Sequence, residues 1–420
     1  MSSSARGPEG REGHGTSRAT AWVLYDLGNT VYAASLTYLF TPWFAEQNGR
    51  SGLGAMQTVS MVLAALVVPW LGAVCDATRR TRTVLTLSTL ACIGGMATWA
   101  WVGSPAALLA GLLVANVGYN AALLAYNALL PSVAAPTRQG LVSGIGTGVG
   151  YLGTILVLVL LPIGAGGDPA RFLHAGLLFL LFALPCMVLG RDQRAPAARP
   201  SEPAFRAMLD TVRSLPRHPA MLWFLVGNFF LVDVINTAIL FFYDYTVSVF
   251  GAGGRTDVTA LGTTMELAEY GALAGLLLNV LALLGGVVLG LRADASPLGI
   301  LRVSAVMLFL ALATGAGFAG NSPTIYLLTM VPLGAIGLAG TWTAGRKLVL
   351  LLAPPDRAGA YFGLYGITVK LSVVGSTVYG GLADAVGPRT AILAQSVQLL
   401  LGLGCLALVR VPPPRQASAR

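Results

Sequence analysis

Apolar runs long enough to cross a bilayer recur twelve times along this chain, and that pattern rules out most folds. About 20 apolar residues in helical form span the hydrocarbon core. Candidate spans fall near 21–45, 54–75, 83–103, 105–131, 140–166 and 171–190, then near 220–250, 262–291, 298–319, 324–350, 358–386 and 389–410. Between the two series lies the one long polar segment, Gly190 to Pro219, with six arginines and five prolines. Only 10% of the residues are charged and 55% are hydrophobic. An ordinary soluble domain carries about 25% charged residues, so this chain could not cover a water-facing surface. The expectation is an all-α integral membrane protein. Its parts are a tail over 1–20, a six-helix bundle over 21–190, a basic linker over 191–219, a second bundle over 220–410 and a tail over 411–420.

Lysine and arginine accumulate on the cytoplasmic side of membrane proteins. Counted over the twelve-span topology, 21 basic residues fall on the side of the termini and the linker. Four fall opposite (Arg50, Arg171, Arg255 and Arg389), and Lys370 lies within a span. Both termini are therefore expected in the cytoplasm, with the chain a monomer in the inner membrane. The formal charge of +9 is spread thinly rather than massed in a patch, which argues against nucleic-acid binding. Cys75, Cys92, Cys186 and Cys405 lie in apolar runs without metal-ligand spacing, so neither disulfide nor metal is expected. No G-x-x-x-x-G-K-[ST] loop occurs, and no cofactor is implied.

The two series echo one another. "PTRQGLVSG" from Pro136 and "PDRAGAYFG" from Pro355 share P-x-R-x-G-x-x-x-G at an offset of 219, each opening the fifth span of its half. "GAVCD" (Gly72 to Asp76) and "GLRAD" (Gly290 to Asp294) match at an offset of 218. "DLGNT" (Asp26 to Thr30) and "DVINT" (Asp233 to Thr237) match at 207, in the first span of each half. Paired six-helix repeats joined by a basic linker resemble the major facilitator architecture, whose halves rock about a central site. More narrowly, "WVLYDLGNTVYA", "YNALLPSVAAPTRQGLVSGIGTGVGYLG" and "RAGAYFGLYGITVKLSVVGSTVYGGLAD" resemble the autophagy-related vacuolar amino-acid effluxer branch and its bacterial relatives. That resemblance implies a uniporter or proton-coupled carrier, with amino acids as the substrate class. The loop after span two resembles the superfamily signature through Gly72, Asp76 and Arg80, which implies a gate there. Ala77 and Arg79 depart from that signature, and "GGLADAVGPR" (Gly380 to Arg389) is a closer copy on the opposite side.

Charged side chains within spans are costly and mark functional sites by default, a centrally placed Asp costing roughly 2.5–3.5 kcal/mol on insertion scales. In the implied architecture the first and fourth spans of each half line the cavity. Span one offers Asp26, Asn29 and Tyr32, spaced to share a helical face. Span four offers Asn116, Tyr119, Asn120 and Asn127. Asp233 and Asn236 lie in span seven, Trp342 and Arg346 in span ten, and Lys370 in span eleven. Interhelical hydrogen bonding is the commoner task of Asn and Tyr in a bundle, and the glycines of spans five and eleven read as packing faces. Asp26 lies eight residues past Arg18, within reach of the cytoplasmic rim, whereas Asp233 is sixteen past Arg217. The deeper Asp233 is thus the first candidate for a transported proton, and Glu266 with Glu269 mark the start of span eight.

These residues point to a secondary transporter that moves a small solute, coupled to protons, by alternating access. Carboxylates together with Lys370 and Arg346 suit a zwitterion such as an amino acid. The aromatic residues leave an exporter of hydrophobic or cationic drugs as the alternative. A membrane-embedded enzyme or a scaffold is the rival class, but no D-D-x-x-D or H-E-x-x-H motif occurs.

Overall fold

Proline and glycine punctuate the helices. Pro105, Pro219, Pro297, Pro323 and Pro388 each stand in the first turn of a helix, where the missing N–H costs no bond. Gly49 and Gly387 follow helix ends with φ of 76° and 92°, a conformation that glycine adopts without strain. The computed structural model describes residues 9–78, 80–101, 103–133, 139–164, 166–190, 210, 212–293, 296–353 and 358–411, apart from some side chains within those ranges.

Helix α1 runs over Glu9–Ser35 and continues through a π-helical turn, Leu36–Phe40, into α2 (Thr41–Asn48). Then come α3 (Ser51–Thr78), α4 (Thr81–Trp101), α5 (Pro105–Val133), α6 (Gln139–Leu160) and α7 (Ala170–Leu189). After the linker follow α8 (Pro219–Phe250), α9 (Leu267–Ala293), α10 (Pro297–Ala316), α11 (Pro323–Leu328) and α12 (Met330–Leu352). The chain closes with α13 (Ala358–Leu371), α14 (Val374–Val386) and α15 (Pro388–Ala407). Among the described residues nine helical stretches are long and apolar enough to cross a membrane.

Two compact units emerge: Met1–Arg199 with Leu240–Asp244, and Pro200–Ile239 with Tyr245–Arg420. In the first, α1 packs on α5, α6 and α7, while α4 packs on α5 and α7. In the second, α12 packs on α9 and α10, and α15 on α10 and α14.

Three apolar runs differ from the helices expected of them. The start of span eight is a hairpin, β1 (Asp257–Ala260) paired antiparallel with β2 (Thr263–Glu266). Leu261 and Gly262 turn it with φ of 52° and 82°, as two-residue hairpins of right-handed twist require. Glu266 is therefore a strand residue, and its N–H donates to Glu269 Oε2 at 3.2 Å, just before α9. Span ten is jointed at Thr329, between α11 and α12. Span eleven is broken over Ser372 and Val373, between α13 and α14. No proline marks that break; side chains of α8 supply the reason, as follows.

Candidate functional site

In the first unit the polar face of α1 meets α5. Tyr32 Oη donates to Asn116 Oδ1 at 2.7 Å, and Asn116 Nδ2 donates to Gln57 Oε1 (2.5 Å) and Ser60 Oγ (2.9 Å) of α3. The Tyr32 and Tyr119 rings lie 4.8 Å apart. Asn120 Nδ2 donates to the Asn116 carbonyl at 2.9 Å. Tyr32, Asn116, Gln57, Ser60 and Asn120 form one hydrogen-bonded network with Tyr119 packed beside it, whereas Asn127 is exposed and apart from it. Most of this network is internally satisfied, so its bonds hold α1, α3 and α5 in register.

Asp26 differs. Its carboxylate is half-buried and has no hydrogen-bond or ionic partner among the described residues. Asp26 Oδ2 and Tyr126 Oη both lie within 3.5 Å of the point where a Gly146 Cβ would stand. A Gly150 Cβ would likewise stand 3.4 Å from Asp26 Oδ2. The glycines of α6 thus let its backbone approach the carboxylate closely. Tyr126 Oη and Asn29 Oδ1 are buried and also lack partners among the described residues. Trp22 covers this end: its ring stacks on Tyr126 at 4.1 Å and its Nε1 donates to the Tyr126 carbonyl at 2.9 Å.

In the second unit Asp233 is wholly buried. Both its oxygens accept the Gly375 N–H, at 2.9 Å each, and Gln398 Nε2 donates to Oδ2. Gly375 lies in the first turn of α14, so this carboxylate sits at the positive end of a helix. One turn along α8, Asn236 Nδ2 donates to the carbonyls of Ser372 (2.6 Å) and Val369 (3.4 Å), at the end of α13. Asp233 and Asn236 therefore satisfy the peptide groups that the break in span eleven frees. Gln395 Nε2 adds a bond to the Gly375 carbonyl at 3.1 Å. A Cβ on Gly375 would stand 2.5 Å from Asp233 Oδ2, so glycine is needed for the close approach.

Lys370 is half-buried in the last turn of α13, and Trp342 is half-buried on α12. The side chain of Arg346, also on α12, lies outside what the structure describes, as do the surroundings of Gly72 and the side chain of Asp76 on α3. Arg80 is exposed between α3 and α4.

The internal geometry corrects one sequence echo. Trp22 lies over Tyr126, and Phe224 lies over Tyr365 with rings 6.2 Å apart and 9° from parallel. Asp26 approaches Gly146, and Asn228 approaches Gly345, its Oδ1 being 3.4 Å from a Cβ there. Both pairings set α1 against α8 at an offset of 202. The counterpart of Asp26 is thus Asn228, and Asp233 corresponds to Val31. The D-x-x-N-T match slid the comparison by five residues. At the offset of 219 that relates the later spans, tyrosine and glycine have changed places: Tyr126 with Gly146, Gly345 with Tyr365.

Comparison with known proteins agrees with the helical fold. The chain is 24% identical over 431 residues to YxiO, an MFS-type transporter of Bacillus subtilis (strain 168), covering 94% of this chain and 95% of that one. A protein of Aquifex aeolicus (strain VF5) is 22% identical over 363 residues, covering 84% and 86%. Among solved structures, the nucleoside transporter NupG superposes with a TM-score of 0.73 at 14% identity, covering 94% of this chain and 100% of that one. A bacterial homologue of the human lysosomal transporter Spinster superposes at 0.71 and 14% identity, covering 96% and 98%. The sequence pattern of the Major Facilitator Superfamily matches residues 23–372. This multi-pass membrane protein belongs to the Major Facilitator Superfamily, a family of transporters and not of enzymes.

Proposed function

We propose that this protein is a secondary transporter that moves a small polar solute by alternating access, coupled to protons through Asp26. The observation that carries the reading is the contrast between two carboxylates. Asp233 meets a peptide N–H with both oxygens and a glutamine amide besides, so its charge is spent on holding the broken helix. Asp26 meets no donor among the described residues. A carboxylate so placed gains by taking a proton or by meeting a cationic group, and both events belong to a transport cycle. Sequence reasoning favoured Asp233 by depth; hydrogen bonding favours Asp26.

Amino acids are the solute class that this reading favours, on the strength of the effluxer-like sequence blocks and of the cations Lys370 and Arg346 on α13 and α12. The excess of basic residues on one side of the twelve-span topology supports a cytoplasmic position for both termini and the linker; in this reading the chain is a monomer in the inner membrane with two six-helix bundles joined by residues 191–219. Asp76 and Arg80 act as the cytoplasmic gate. The test uses proteoliposomes loaded with a pH-sensitive dye and challenged with an amino-acid panel, with nucleosides and sugars as further arms. Solute-dependent proton entry that Asp26→Asn abolishes, with exchange of labelled solute retained, is the expected result. Proton entry at the parental rate in Asp26→Asn overturns the coupling role.

A further inference from the structure

Arg171, in the first turn of α7, is only 1% exposed. Its Nη1 donates to the carbonyls of Pro162 (2.9 Å) and Gly166, both in the loop that leads into α7. The guanidinium also lies 5.2 Å from the centroid of the Phe172 ring. Its Nε and Nη2, by contrast, are buried and have no partner among the described residues. No carboxylate of the described residues stands within ion-pair distance of it. A charged guanidinium is the group that proteins least often bury without a counter-charge. Two carbonyl dipoles and a ring face do not neutralise it.

The two partnerless nitrogens are the ones that matter. Nε and Nη2 form the side-on edge of the guanidinium, the fork that matches the two oxygens of a carboxylate. The first unit contains that fork in use: Arg50 grips Asp244 through Nε (2.7 Å) and Nη2 (3.1 Å). Around Arg171 the chain supplies the same edge, together with the helix N-terminus that favours an anion, but no acid among the described residues. The nearest acid in sequence, Asp168, is exposed, and its Oδ1 accepts the Ala170 N–H at 2.9 Å as a cap.

We infer that Arg171 is an anion site, built to hold a small carboxylate side-on at the start of α7. Gly164 and Gly167 carry φ of 89° and 104° in that loop, and Pro162, Gly166, Gly167 and Asp168 are exposed. The site is independent of Asp26 and of proton coupling.

The experiment is thermal unfolding of the purified full-length protein in acetate, phosphate or chloride at matched ionic strength. Acetate is expected to raise Tm over chloride by about 2–4 °C at saturation, the shift that roughly 1 kcal/mol of binding produces in a domain of this size. Arg171→Lys keeps the charge and a donor for a loop carbonyl but lacks the fork, so the acetate increment is expected to vanish. Equal Tm in acetate and chloride overturns the inference, as does an increment that survives in Arg171→Lys. A larger effect of phosphate than of acetate overturns the carboxylate assignment. Asp168→Asn is the control that needs no change at Arg171. If Asp168 is itself the counter-charge in solution, the parent shows no acetate effect and Asp168→Asn acquires one, which also overturns the inference.

Discussion

Asp233 accepts the Gly375 N–H with both carboxylate oxygens, each at 2.9 Å, and so closes the open end of a helix that starts within the membrane-spanning region. Removing one partner of a buried hydrogen bond costs the desolvation of the group left behind, about 1–3 kcal/mol. Asp233→Asn keeps one acceptor and presents an amide where Gln398 already donates. It is expected to lower stability by about that amount, seen in thermal unfolding in detergent. The ratio of proton-driven accumulation to exchange should stay at the parental value. A collapse of that ratio with unchanged stability would transfer the coupling role to Asp233.

Asp26→Asn is expected to do the opposite. Because the carboxylate has no donor among the described residues, the neutral amide relieves a desolvation cost. The variant should therefore unfold at least as high as the parent while accumulation driven by a pH gradient is lost. Stability and accumulation measured on one preparation decide the point. A strongly destabilised Asp26→Asn would mean that the carboxylate carries a structural bond.

The glycines of the fifth and eleventh spans separate into two kinds. A Cβ on Gly153 would press on the Leu27 carbonyl and stand 3.0 Å from Thr30 Cβ. Backbone cannot yield there, so Gly153→Ala is expected to destabilise by about 1–3 kcal/mol, as overpacking does. Gly366 has nothing within 4 Å of a Cβ. Gly366→Ala should be neutral or gain up to about 1 kcal/mol from helix propensity. Parallel unfolding curves check the pair, and equal effects would refute the distinction.

Orientation has a direct test. Reporter fusions at the N-terminus, at the C-terminus and within residues 191–219 should all report the cytoplasm. A periplasmic signal from the C-terminus would require an odd number of crossings and remove the six-plus-six topology.

Hydropathy made the helices legible because hydrocarbon imposes a length on every span. It was blind to the break at Ser372 and Val373, since the residues there are no more polar than neighbours such as Lys370 and Ser376, and the groups that hold it lie on α8, at Asp233 and Asn236. The hairpin Asp257–Glu266 was hidden for another reason: it abuts an apolar run without a polar gap, and only its β-branched threonines and the Leu261–Gly262 turn betray it. Asp26 was visible as a charge inside a span, but the absence of donors to it among the described residues is a fact of three-dimensional placement. Arg171 looked like an ordinary loop cation, because burial of a helix-first-turn side chain under its own loop leaves no periodic signature. The five-residue slip in the Asp26–Asp233 comparison shows how a short polar match can outvote geometry when the true counterparts, Asp26 and Asn228, differ in identity.

The exchange of tyrosine and glycine between the two units says what evolution can vary. Tyr126 reaches toward Gly146, and Tyr365 reaches toward Gly345, a Cβ on which would stand 2.6 Å from the hydroxyl. One large and one absent side chain fill the space in either order, so what each niche fixes is a summed volume and not a residue. Substitution at one position alone overfills or empties it, and change passes only through compensated pairs. In a deep alignment of relatives, positions 126 with 146 and 345 with 365 should therefore covary as large against small, with neither column invariant.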